Sequence, residues 1–132
     1  MIGKDPVMSL LARALDGQAV RQRVIAHNIA NLNTPGFKRS QVDFQAFMQA
    51  ALRGSAGQLK RTDPRHLAGR AGDDNGPQVE IVRGTSQRAD GNNVDLEREM
   101  VELVDNVLGY RAIGQFWSSK YGIYSQVIRG GR

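Results

Sequence analysis

Hydrophobic positions recur in alternating steps of four and three over the last third of the chain. Leu96, Met100, Leu103, Val107, Tyr110, Gly114, Trp117, Tyr121, Tyr124 and Ile128 fall on one line, and nine of these ten are apolar or aromatic. That spacing is the seam of a coiled-coil helix. At about 1.5 Å per residue it runs roughly 48 Å. An ordinary globular helix has only about 11–12 residues. Asp95, Glu97 and Glu99 crowd its first turn, where negative charge suits the helix dipole. The turn-forming run Asp90-Gly91-Asn92-Asn93 supplies the start, with Asn92 or Asn93 as the expected cap. Gly130-Gly131 supplies the stop.

A second line in the same steps runs near the other end: Val7, Leu11, Ala14, Gln18, Gln22, Ile25, Ile29 and Leu32, with Leu15 alongside. Pro6 fits the first turn of this helix, after Asp5 as its cap. Two glutamines sit in the seam, and Gly17 weakens the helix by up to about 1 kcal/mol relative to alanine. The pattern stops at Asn31-Leu32-Asn33-Thr34-Pro35-Gly36. Pro35 cannot continue a helix and pushes Thr34 into an extended conformation. Gly36 admits a positive φ.

Residues 40–53 read as a short amphipathic helix with Phe44, Phe47, Met48, Ala51 and Leu52 on one face. Between 54 and 92 glycine recurs among polar residues, with Pro64 and Pro77, as in a loop or linker. Its one periodic piece, Gln78-Val79-Glu80-Ile81-Val82-Arg83, is a candidate short strand with no evident partner, and such a strand alone is marginal. The expected fold is therefore mainly α. Long N- and C-terminal helices pair as an antiparallel coiled coil around a loop-rich, partly disordered middle. The expected divisions are 1–33 for the first helix, 34–53 for the turn and short helix, 54–92 for the flexible segment and 93–132 for the last helix.

Composition narrows the chemistry. There are no cysteines, which excludes a thiol nucleophile and a disulfide framework. His27 and His66 stand in unrelated contexts, and neither metal-ligand spacing nor a phosphate-cradling glycine loop is present. His27 reads as a packed or capping residue. Glu99, Glu102 and Asp105 read as a solvated helix face. No catalytic, metal or cofactor site is expected, nor a small-molecule substrate.

The net charge is +5 and the pI about 10.1. Residues 94–128 nevertheless carry five acids against three bases, and residues 34–92 carry nine bases against six acids. The positive balance is diffuse, which argues against nucleic acid as a partner. Nothing approaches a membrane-spanning run. The start, Met1-Ile2-Gly3-Lys4-Asp5-Pro6, lacks the features of a cleaved secretory signal. It suits a cytoplasmic chain, or export by a route that removes no peptide.

The run Asn28-Ile29-Ala30-Asn31-Leu32-Asn33-Thr34-Pro35-Gly36-Phe37-Lys38, preceded by Ala26-His27, resembles the signature of the bacterial flagellar axial proteins, the rod, hook and hook-associated subunits. Asp90-Gly91-Asn92-Asn93-Val94-Asp95-Leu96-Glu97-Arg98-Glu99-Met100 resembles the start of their C-terminal helix. The short length, Thr62-Asp63-Pro64-Arg65-His66-Leu67 and the helix running to Ile128 look most like a subunit of the proximal rod. A sister proximal-rod subunit has similar length and ends. Gly109 and Gly114 within the last helix depart from the pattern, and close helix approach is the one account of them.

The resemblance implies helical self-assembly into a hollow drive shaft that transmits torque and passes exported subunits. It implies a place in the basal body, across the periplasmic space, and export without a cleaved signal. The implied partners are copies of the chain, other rod proteins, and the membrane ring and export apparatus at the rod base. Asn28, Ile29, Ala30, Asn31, Thr34, Pro35, Gly36, Phe37 and Lys38 are then the motif residues, serving either the subunit's own fold or contacts between subunits.

The residues themselves point the same way. Besides its seam, the last helix carries Val101, Val104, Leu108, Ile113, Phe116 and Ile123. A lone hairpin leaves many of these wet, and large exposed apolar surfaces mark interfaces. Isolated subunits are thus expected to be partly unfolded and to order on assembly. A basic nucleic-acid-binding coiled coil and a small adaptor or export chaperone are the competing classes.

Overall fold

A computed structural model describes residues 5–56, 76–84 and 88–130. Five elements follow in order: α1 Pro6–Ala30, β1 Ser40–Val42, α2 Phe44–Ala56, β2 Val79–Ile81 and α3 Leu96–Ile128. The fold is mainly α, with the two long helices packed against each other. Much of the 54–92 segment, including the 62–67 piece, lies outside the described residues.

The start of α1 follows the sequence expectation. Asp5 Oδ1 accepts from the Val7 and Met8 amides at 2.7 and 3.4 Å, and Pro6 takes the first helical position. At the far end Gly130 adopts φ +84° just after α3, where a left-handed residue closes a helix. The start of α3 differs from expectation. Its cap is Asp95, whose Oδ1 accepts from the Glu97 amide at 3.0 Å. Asn92 and Asn93 lie upstream, committed to other partners.

Three contacts show that α1 and α3 run antiparallel: Asn28 to Glu99 at 3.0 Å, Arg21 to Asp105 at 3.0 Å and Asp5 to Lys120 at 3.7 Å. At about 1.5 Å per residue, the 25-residue α1 is ~37 Å long and the 33-residue α3 ~50 Å. Residues 121–128 therefore continue past the described part of α1.

The face that α3 turns to α1 is rotated from the apolar line. The residues fully withdrawn from water are Glu99 and Asn106. Of the seam positions, Leu103, Val107, Gly114, Trp117 and Tyr124 are half-buried, while Leu96, Met100, Tyr110, Tyr121 and Ile128 are exposed. On α1, Ala14, Gln18 and Ile25 are buried as the pattern predicts, but Val7 and Gln22 are exposed. The cause is polar: Glu99 is drawn inward by partners outside its own helix.

The middle of the chain corrects two expectations. Residues 40–42 are not helical but form β1, and α2 begins at Phe44. The 78–83 strand does have a partner, since β2 pairs antiparallel with β1, Gln41 opposite Glu80. A three-residue strand carries too little periodicity to be read beside an adjoining helix, and its pairing spans some forty residues of chain.

α2 lies on α1 at Gly17. A Cβ there would sit 2.9 Å from Phe44 Cε2 and 3.0 Å from Phe47 Cε1. This mid-helix glycine, locally unfavourable, is the seat for two phenylalanine rings. The buried apolar residues among those described are Met8, Ala14, Ile25, Ala51 and Val94. Such a small core holds a small chain only marginally.

Candidate assembly site

The motif residues converge on a polar joint where α1, the turn, β1, the Asp90–Asn93 run and α3 meet. Asn28 is its centre. Ser40 belongs to the non-hydrogen-bonded pair of the β1–β2 ladder, so its N–H and C=O point away from β2. Asn28 takes both: its Oδ1 accepts from the Ser40 amide at 2.9 Å and its Nδ2 donates to the Ser40 carbonyl at 2.7 Å. The same Nδ2 lies 3.0 Å from Glu99 Oε2. One amide thus completes the edge of β1 and fastens it to α3.

Arg39 is the second member, 3% exposed against 0% for Glu99. Its Nε donates to Glu99 Oε1 at 2.8 Å and its Nη2 to Glu102 Oε1 at 3.1 Å. Glu102 also accepts from Arg98 Nε at 3.2 Å. The expectation that Glu99, Glu102 and Asp105 form a solvated face is therefore corrected. Asp105 alone is well exposed, paired with Arg21. Glu99 is buried because Arg39 and Asn28 replace its water, the condition under which a buried carboxylate is tolerated.

Asn92 and Asn93 tie the two chain ends together. Asn92 Nδ2 lies 2.9–3.1 Å from the carbonyls of Asn31, Leu32 and Thr34. These carbonyls belong to the C-cap residue of α1 and to the turn that follows it. Asn92 so caps the helix across from it rather than its own. Asn93 Oδ1 accepts from the Arg39 amide at 2.7 Å, and its Nδ2 donates to the Val82 carbonyl at 3.0 Å.

The remaining motif residues shape the turn. Asn31 Nδ2 donates back to the His27 carbonyl at 2.8 Å, and Thr34 Oγ1 donates to Asn31 Oδ1 at 3.2 Å. Gly36 adopts φ +70° and its amide donates to the Asp90 carbonyl at 2.8 Å. Lys38 Nζ donates to the Gly91 carbonyl. Phe37 is half-buried with its ring edge-on to His27, centroids 5.4 Å apart. Ile29 is half-buried, while Ala30 and Pro35 are exposed. Arg39, Glu99, Glu102, Asn92 and Asn93 were not legible as partners of the motif. The run of asparagines was the available signal, and alone it reads as a turn.

Away from the joint, α3 carries exposed apolar side chains among its polar ones. Val101, Val104 and Leu108, at i, i+3 and i+7, share the side facing away from α1 and are 70%, 57% and 60% exposed. Phe116, Ile123 and Val127 form a second exposed line, and Ile128 is 76% exposed. Exposed apolar surface of this extent marks an interface. Among the described residues no group of three or more His, Cys, Asp or Glu is placed to hold a metal ion. No helix among them is long and apolar enough to cross a membrane.

Known proteins resemble this chain in sequence. The family model for flagella basal body rod proteins matches residues 8–38, which span most of α1 and the motif turn. The flagellar basal body rod protein FlgB of Bacillus subtilis is 34% identical over 122 residues, 92% of each chain. FlgB of Borrelia hermsii is 39% identical over 109 residues, 78% of this chain and 81% of its own. FlgB of Escherichia coli is 31% identical over 112 residues, 81% of each chain.

Proposed function

Since the chain belongs to the FlgB-type flagellar basal body rod proteins, we propose that it is built into the rod through the apolar surface of α3. It is a structural subunit of the proximal rod of the flagellar basal body. Its relatives are rod proteins rather than enzymes, and we assign this chain no catalytic role. The observation that carries the assembly surface is the exposure of Val101, Val104 and Leu108 on the side of α3 away from α1. Each such side chain gains about 1.5–3 kcal/mol on full burial.

Contacts that pair this face with a different face of the next molecule generate a helical array where the rotation between neighbours does not close into a ring. The partners in this reading are copies of the chain and other rod proteins, with the membrane ring and export apparatus at the rod base. The polar joint supports the reading by fixing the angle at which α3 leaves the turn. Lys38, Phe37 and Gly36 belong to that joint, so the motif serves the subunit's own geometry first. A hollow array of such helix pairs would transmit torque through its wall and pass exported subunits through its lumen.

The test is Val104→Glu with Leu108→Lys, expressed from the native locus. The purified variant should melt at the wild-type temperature, because both positions are already wet. Cells should make the protein yet lack rods and fail to swim. Normal rods built from that variant would overturn the α3 surface.

A further inference from the structure

The two-stranded sheet has one edge closed and one open. On β1 the outward groups of Ser40 are taken by Asn28, and the Arg39 amide by Asn93. On β2 the ladder fixes which groups face inward. Val82 N donates to the Arg39 carbonyl at 2.9 Å, so residues 80 and 82 turn their peptide groups toward β1. Those of Val79 and Ile81 point away from it, and among the described residues nothing bonds to them. Their side chains are 51% and 55% exposed.

An open edge is a template for another strand unless something guards it. The guards of β2 are its three-residue length and Glu80. Glu80 guards selectively, because a carboxylate repels an acidic strand and admits a basic one. Toward an added antiparallel strand, Val79 and Ile81 are the hydrogen-bonded positions. Glu80 is then the non-hydrogen-bonded one, where facing side chains come closest. Glu80 stands opposite Gln41, and both line a cleft of about 410 Å³ with Asp43, Phe44 and Gln45 at the start of α2. Among the described residues neither Asp43 nor Glu80 has a cationic partner. Arg21, at the wall of the cleft, is held by Asp105 at 3.0 Å. A chain of net charge +5 thus keeps two uncompensated carboxylates at this place. The Phe44 ring beside them suits a planar guanidinium.

We propose that β2 is a docking edge for an extended segment of a neighbouring rod component, one in which an arginine stands between two apolar residues. The segment adds antiparallel to β2 and bonds the peptide groups of Val79 and Ile81. Its arginine crosses Glu80 into the cleft, and its flanking side chains cover Val79 and Ile81. The β2 strand of a second copy does not supply this chemistry. Full overlap sets Glu80 against Glu80, and a slip of two residues either way sets Gln78 or Val82 there. The alternation of the ladder keeps Arg83 out of register with Glu80. That the segment comes from a neighbour in the rod rests on the rod-subunit reading; the kind of strand rests on the sheet.

The test uses the end-blocked peptide Thr-Val-Arg-Val-Thr, with Thr-Val-Glu-Val-Thr as control, added to the isotope-labelled full chain. The arginine peptide should shift the amide resonances of residues 79–81 and slow exchange at Val79 and Ile81 about tenfold at saturation. Its binding should weaken as salt rises, and the glutamate peptide should do neither. Glu80→Lys, at an exposed position, should fold as wild type and reverse the preference. Ile81→Pro removes an N–H that points away from β1, so it leaves the β1–β2 ladder whole and should abolish binding of both peptides. In cells both variants should accumulate normally and swim poorly. No response to the arginine peptide, or an equal response to the two peptides, overturns the proposal. Normal swimming with Glu80→Lys overturns it as well. A strain without the chain that still swims removes the rod reading instead and leaves the peptide result standing.

Discussion

Arg39 Nε donates to Glu99 Oε1 across 2.8 Å, and both side chains are withdrawn from water. The pair joins the residue that follows the motif to the first full turn of α3. Breaking a buried pair from one side strands the other charge. Glu99→Ala should therefore destabilise the subunit by about 3 kcal/mol, the low end for a buried pair because Glu102 still holds Nη2. Glu102→Ala, at a partly wet position, should lose about 1 kcal/mol or less. Replacing both charges, Arg39→Met with Glu99→Leu, should recover most of the loss. Urea unfolding of the three variants reads this order directly; a Glu99→Ala protein as stable as wild type would mean that the joint does not hold the fold.

Asn92 tests the other half of the joint. Its Nδ2 reaches three carbonyls at the C-cap of α1 and in the turn after it, a role only a donor can fill. Asn92→Ala should lose about 1–3 kcal/mol. Asn92→Asp should be worse, since it turns a carboxylate toward those carbonyls. Hydrogen exchange should localise the damage to the last turn of α1 rather than to α3. Damage confined to α3 would instead favour Asn92 as the cap of its own helix, as its position in the sequence suggests.

That contrast shows what the sequence can and cannot disclose. The two long helices were legible because their apolar spacing persists over many turns, and the Thr34-Pro35-Gly36 stop because Pro35 restricts the backbone while Gly36 admits the positive φ the turn uses. The cap of α3 was misplaced by a few residues because Asn92, Asn93 and Asp95 all suit a helix start, and only the tertiary fold decides which is spent elsewhere. Arg39–Glu99 was out of reach for a different reason. A charged residue on an amphipathic helix reads as solvated unless its partner is known, and here the partner lies sixty residues earlier. The rotation of the α3 seam follows from the same pair. The asparagine signature was visible as a motif, but its physical meaning, an amide completing a strand edge, required β1 to be seen.

Gly17 offers a separable test of α2. Replacing a mid-helix glycine ordinarily gains up to about 1 kcal/mol. At this position the new side chain meets the Phe44 and Phe47 rings at once. Gly17→Leu should lose about 1–3 kcal/mol net, since displaced packing outweighs the helical gain. The α2 amides should lose their exchange protection while α1 and α3 keep theirs. A variant more stable than wild type would mean that the rings swing aside freely and that α2 is not seated on α1.

Gly36 is where backbone and motif coincide. It holds φ +70°, and among the described residues no heavy atom beyond its own chain neighbours lies within 4 Å of the place a Cβ would occupy. Any loss on substitution therefore comes from the backbone conformation and not from a clash. The left-handed region costs an L-residue about 1–2 kcal/mol, with β-branched side chains faring worst and asparagine best. Valine and asparagine have similar bulk, so the pair separates the two causes. Gly36→Val should lower the melting temperature, release the 2.8 Å bond from the Gly36 amide to the Asp90 carbonyl, and abolish rods. Gly36→Asn should melt close to wild type and assemble. If the two variants behave alike, conformation at this position is not what the turn requires; if Gly36→Val builds normal rods, the Thr34-Pro35-Gly36 turn does not direct assembly.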